Sequence, residues 1–201
     1  MPGHRKPLPS AASAEDVIDL SHEIIRRARD EAHRLAKSQQ TLVSIATANR
    51  LSQQRLNNAI LLVLAARSGA EISQFVRRDF PAILDLAAAL LIAPDDAGLP
   101  PDMELLQMPA GYMSGLLGEG QLWLGPPTGL QREIFRHDLE APPPSCALIA
   151  LPKGISGIGA GMILALAGHS AESFTAEHGT ELVEFTARLL AVGLAARPLL
   201  V

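Results

Sequence analysis

Ser145-Cys-Ala-Leu-Ile-Ala-Leu-Pro152, Lys153-Gly-Ile-Ser-Gly-Ile-Gly-Ala-Gly161 and Met162-Ile-Leu-Ala-Leu-Ala-Gly-His-Ser170 form the stretch that decides the fold. Two short apolar runs joined by a glycine-rich turn predict an antiparallel β-hairpin. Phe174-Thr-Ala-Glu-His-Gly-Thr180 follows and leads into an amphipathic helix expected over about residues 175–196. Its apolar face needs a sheet to lie on. This is how a small sensor-type α+β domain closes.

The glycines invite a phosphate-binding reading, and their spacing removes it. A Walker loop ends in Gly-Lys-Ser/Thr at the entrance of a helix, whereas Lys153 precedes the glycines here. The dinucleotide fingerprint fails at its third glycine, because Gly157 and Gly159 are followed by Met162. Gly168-His-Ser170 lacks the second glycine of a nucleophile elbow, since position 172 is Glu172. His169, Glu172, Glu177 and His178 carry ligand atoms without the His-Glu-x-x-His spacing of a zinc helix. His137, Asp138 and Glu140 offer acid–base groups with no specified partner. Cys146 opens an apolar strand and is expected to be an inert buried thiol. No catalytic residue, metal site or cofactor is expected.

Composition sets the outer bounds. The chain has 201 residues, 48% of them hydrophobic and 3% aromatic. Such content supports an aliphatic core and argues against a base-stacking nucleic-acid platform. One cysteine excludes an intrachain disulfide and thiolate clusters, which suits a reducing cytoplasmic setting. The basic start, Met1-Pro-Gly-His-Arg-Lys-Pro7, is not followed by an apolar run, so no secretory signal is expected. Residues 155–168 are too short to span a bilayer, so no membrane partner is expected. Residues 1–68 hold ten Lys/Arg against six Asp/Glu, and residues 69–201 hold seven against fifteen. An acidic globular part does not favour direct nucleic-acid binding.

Working outward, residues 1–12 are rich in Pro, Ala and Ser and are expected to form a flexible N-terminus. Neither proline nor glycine occurs from Ala11 to Ser68, and a long helix is expected over 13–66. Leu35, Leu42, Leu56 and Val63 share a seven-residue frame with Asn49 at the skipped position. A polar Asn at one core position of a coiled coil fixes register and strand number. Unbroken, this helix is about 87 Å long, too long for one small domain to cover. Its first part is therefore expected to pair with a second copy through Leu35, Leu42, Asn49 and Leu56. A fold-back near residues 38–44 is the open alternative. The remaining domain, 67–197, begins with a capping box at Ser68 and Glu71 and a short helix, interrupted at Phe80-Pro81. Strands are expected at 86–93, 103–108 and 121–124, and helices at 110–117 and 130–137.

A binding site is expected where sheet and short helices meet. Tyr112 and Trp123, the single Tyr and Trp, lie there near Arg132 and Arg136. Together they are candidates to enclose a small anionic or aromatic ligand. Solvated arginines with Trp123 in the core are the alternative.

Three stretches carry a family resemblance. The first runs from Leu42-Val-Ser-Ile-Ala-Thr-Ala-Asn49 through Gln53-Gln-Arg-Leu-Asn57 to Leu64-Ala-Ala-Arg-Ser68. The second is Ser145-Cys-Ala-Leu-Ile-Ala-Leu151. The third comprises Leu164-Ala-Leu-Ala-Gly-His-Ser170, Phe174, Gly179-Thr180 and Leu182. Over about residues 35–196 the chain resembles a GAF domain, specifically the bacterial GAF-like family catalogued as domain of unknown function 484. The resemblance implies a six-stranded antiparallel sheet with helices on its faces, dimerisation through the terminal helices, and no established catalytic residues. It differs from the family in its short polar N-terminal segment and in residues 94–140. The expectation is a non-enzymatic, homodimeric, cytoplasmic regulatory or signalling module that binds a small ligand. A dimeric adaptor for an unidentified protein partner, with a vestigial pocket, is the alternative.

Overall fold

The computed structural model describes residues 14–118, 120–152, 161–175 and 180–197, and their side chains from residue 22 onward. The turn over 153–160, the residues Glu177, His178 and Gly179, and the N-terminus 1–12 lie outside the described residues. The chain divides into two compact units, Met1–Leu51 and Ser52–Val201.

The first unit is helical. It holds most of α1 (Ala14–Ala65), which remains hydrogen-bonded as an α-helix through residues 38–44 and does not turn back there. From residue 22 to 51 none of its side chains is buried. Glu23 accepts hydrogen bonds from Arg26 and Arg27, which hold its carboxyl below the usual carboxylate range.

The second unit takes the last turns of α1, whose Ala59 and Val63 are buried in its core together with Ala66. The division therefore falls inside α1, where its side chains begin to be buried. Ser68 caps α2 (Gly69–Arg78) by accepting from the Glu71 N–H, and the Glu71 carboxylate accepts from the Arg67 N–H. Pro81 stands in the first turn of α3 (Phe80–Leu84), where its missing N–H costs nothing. Asp85 then adopts a left-handed conformation, φ 61°, and turns the chain into the sheet.

Five strands follow among the described residues: β1 (Ala88–Pro94), β2 (Leu105–Met108), β3 (Leu122–Gly125), β4 (Ser145–Ala150) and β5 (Ile163–Gly168). Their order is β2-β1-β5-β4-β3. The hairpin is present as expected, with Ser145 opposite Gly168 and Ala150 opposite Ile163. The sheet is not wholly antiparallel. β2 runs parallel to β1, with Leu91 opposite Leu105 and Pro94 opposite Met108. The connection over 95–104 carries Gly98, Pro100 and Pro101, returns beside the middle of β1, and re-enters the sheet in the same direction. Instead of the six antiparallel strands implied by the resemblance, the sheet is mixed.

Side chains alternate strictly across this sheet, as period-2 geometry requires. Ala89, Leu91, Ala93, Ala147, Ile149, Leu164 and Leu166 face α2, α6 (Glu181–Ala195) and the end of α1. Leu90, Ile92, Cys146, Leu148, Ile163 and Ala165 face α4 (Ala110–Leu117) and α5 (Leu130–Ile134). Both faces are covered, which explains why β1, β4 and β5 are continuous apolar runs. α4 matches its expected bounds. α5 stops three residues short of His137, because Phe135 leaves helical geometry. Where α6 crosses α1, Gly193 lets the two helices come close: a Cβ there would stand 2.6 Å from Val63 Cγ1.

Candidate functional site

The α4 face of the sheet holds the candidate site. Met113 and Leu116 of α4 point inward, and Ile134 and Phe135 close the face from α5. Gln131, a buried polar residue, fastens these elements together. Its carboxamide donates to Leu116 O at 2.7 Å, an orphan carbonyl at the end of α4, and accepts from the Thr128 N–H at 2.9 Å. No sequence signal singled out Gln131, whose role depends on a contact fifteen residues away.

Beside this packed centre a cleft of about 430 Å³ opens between α4 and the ends of β3, β4 and β5. Met113, Leu117, Leu151 and Ile163 supply apolar walls, while Ser114 and Gln121 add neutral polar groups. Gly118, Gly120 and Gly161 bring backbone to its edge. Gly161 adopts φ 82°, and a Cβ there would touch Pro94 Cγ at 3.4 Å. No charged side chain lines the cleft among the described residues.

The anticipated binding residues do not converge. Arg132 and Arg136 line a second cleft of about 220 Å³ with Phe135, Leu139, Glu133 and Glu140. Both arginines are exposed. Arg132 donates through Nε to Pro127 O at 3.1 Å, and Arg136 pairs with Glu133 at 3.2 Å. Tyr112 and Trp123 do not line that cleft. Tyr112 is 51% exposed on α4. Trp123 lies half-buried on β3, packed on the α4–α5 face, and its Nε1 is buried with no acceptor among the described residues.

A third cleft of about 270 Å³ lies on the opposite face, among Leu84, Leu86, Leu166, Phe174 and Val183. The Arg55–Asp85 ion pair, 2.8 Å, stands at its rim. Cys146 is fully buried in β4, and burial pushes its thiol up to about 12. Among the described residues no three His, Cys, Asp or Glu side chains are placed to hold a metal ion. No described helix is long and apolar enough to cross a membrane. On α1, Leu35 and Leu42 are each 64% exposed and Asn49 is exposed, whereas Leu56 is half-buried.

The family model described as "Protein of unknown function, DUF484" matches residues 8–197. The chain belongs to this family. The DUF484 match covers the long helix, the mixed sheet and all three clefts. Comparison with curated proteins gives no match.

Proposed function

We propose that this DUF484 chain is a non-enzymatic, homodimeric regulatory module whose GAF-like sheet unit binds a small ligand in the cleft beside α4. The cleft itself carries this reading. Its volume of about 430 Å³ falls in the usual ligand-pocket range of about 300–1,000 Å³. The other two described clefts fall below that range. Apolar walls with a few neutral polar groups fit a compact ligand of low charge. The thiol of Cys146, buried and held protonated, supports a structural rather than nucleophilic role for that residue. The excess of Asp/Glu beyond residue 68 supports partners other than nucleic acid. The exposed apolar side chains of α1 support pairing with a second copy.

A thermal-shift screen of metabolites and nucleotides on the folded dimer tests this reading. A true ligand at a hundred times its dissociation constant adds about 2.7 kcal/mol. That gain disappears in Leu117→Arg, which places a cation in the cleft. A panel that stabilises nothing, with native mass spectrometry finding no co-purified ligand, overturns it.

A second reading, a dimeric adaptor with a vestigial pocket, has its own support. Leu182, Phe185 and Val192 lie exposed along α6, an apolar row suited to a protein partner. Phe135 and Leu116 meanwhile fill the centre of the α4–α5 face. Retention of a partner from native lysate that Phe185→Glu abolishes, with no ligand in the cleft, favours this reading.

A further inference from the structure

We propose that two copies of α1 pair antiparallel, with a two-fold axis beside residue 40, so that Glu31 of each helix meets Asn49 of the other. The inference rests on the homodimer reading above and adds its direction and register.

From residue 22 to 51 no side chain of α1 is buried, and Ile24, Leu35 and Leu42 are each 64% exposed. A helix this long gains its stability from packing an apolar stripe, so the stripe needs a partner. Two rows of the seven-residue frame make the stripe. One holds Ala28, Leu35, Leu42 and Asn49, and the other holds Ile24, Glu31, Ser38 and Ile45. The seam therefore carries one charge, Glu31, and one carboxamide, Asn49.

Direction follows from what these two polar groups would meet. In a parallel pair each row faces itself, so Glu31 is set against a second Glu31, and like charges in a seam repel. In an antiparallel pair the rows exchange. Residues equidistant from position 40 then face each other: Glu31 with Asn49, Leu35 with Ile45, and Ser38 with Leu42. The Asn49 carboxamide can donate to the Glu31 carboxylate. Large side chains meet large ones, and the remaining layer joins small to large. The same symmetry continues in the sequence, with Ala28 answering Ser52 and Ile24 answering Leu56. A slip of one heptad in either direction sets Glu31 against Leu42 or Leu56 instead. A closed two-fold pair makes every such contact twice.

Single cysteines on the full chain test the geometry, because Cys146 is fully buried and stays silent. Thr41 flanks the seam beside the proposed axis, so Thr41→Cys forms a disulfide-linked dimer on mild oxidation. Ala28→Cys does not, since its two copies stand about 36 Å apart along the antiparallel pair. Cross-linking at Ala28→Cys, alone or together with Thr41→Cys, overturns the arrangement while leaving the homodimer intact. A monomer by light scattering at micromolar concentration overturns both. A second measurement is independent of oxidation. Asn49→Asp weakens dimerisation about tenfold by facing Glu31 with a carboxylate. Adding Glu31→Gln restores it, whereas additive effects of the two changes refute the pairing.

Discussion

Replacing Gly193 by alanine separates local helix preference from tertiary fit. Gly193 sits inside α6, where glycine is about 1 kcal/mol worse than alanine. Considered alone, Gly193→Ala should stabilise. The close approach to α1 reverses the sign. A Cβ would stand 2.6 Å from Val63 Cγ1 and 3.3 Å from Ile72 Cδ1. Val63 is buried and, being β-branched, stiff at χ1, so its Cγ1 cannot swing away cheaply, and Ile72 beside it is fully buried. Overpacking of this kind costs about 1–3 kcal/mol, and a 2.6 Å contact belongs at the upper end. Subtracting the helix gain leaves a net loss of about 2 kcal/mol, or roughly 4–8 °C in Tm. Val63→Ala alone costs about 2 kcal/mol through lost burial and an incompletely filled cavity. In the double variant the new Cβ enters the space that Val63 vacated, so the loss is smaller than the sum by about 2 kcal/mol. Urea unfolding at fixed protein concentration, followed by fluorescence of the single tryptophan Trp123, measures all four corners of the cycle. A Gly193→Ala protein as stable as the parent, or a cycle additive within about 0.5 kcal/mol, refutes the close-crossing argument.

Arg197 donates to Val63 O at 2.6 Å, Leu64 O at 3.0 Å, Ala66 O at 2.6 Å and Gly193 O at 2.8 Å. Arg197→Met should therefore lower stability by about 2–4 kcal/mol, and Arg197→Lys should recover little because an ammonium lacks the planar fork. Gly168→Ala should destabilise by at least about 2 kcal/mol in the same unfolding assay, since its Cβ would stand 2.4 Å from Ser173 Cβ and 2.6 Å from Ser145 Oγ. The folded Cys146 thiol, at about 12, ionises well above its unfolded value near 9, so its contribution is intact below pH 9 and fades as pH rises toward 12. Stability should fall there by about 1.4 kcal/mol per pH unit from this group, and a Cys146→Ala series with an unchanged slope would dismiss the account.

Much of the sheet unit was legible because its signals are local. The short helix at 110–117, the Ser68 cap of α2 and the two apolar runs of the hairpin each lie within one short window. The direction of β2 was not legible, because a four-residue strand carries no mark of its neighbour's polarity. The cleft was missed for a different reason. Met113, Leu117 and Ile163 look individually like ordinary core residues, and only the tertiary fold brings them to one opening. Tyr112 and Trp123 stand out in the sequence as the single Tyr and Trp, but rarity carries no information about which way a side chain faces. Adjacent helix positions differ by about 100° around the axis, so Tyr112 faces solvent while Met113, one residue on, faces the sheet.

The direction of α1 shows how one local ambiguity can hide a whole interface. Ser38, Thr41, Ser44 and Thr47 lie close together in the sequence, and hydroxyl side chains compete with the backbone for helical hydrogen bonds. A turn over 38–44 was therefore a fair alternative, and it would have put Leu35 and Leu42 on different helices. The hydroxyls are accommodated inside the helix instead. Thr41 donates to Lys37 O at 3.0 Å, Ser44 to Thr41 O at 2.9 Å and Thr47 to Val43 O at 2.8 Å. With those donors satisfied, the helix runs on through 38–44, and Leu35, Leu42 and Asn49 fall on one row. Only then does Glu31 stand out as the single charge of the seam, and its placement opposite Asn49 becomes a question of direction that the contrast between cysteines at positions 28 and 41 can answer.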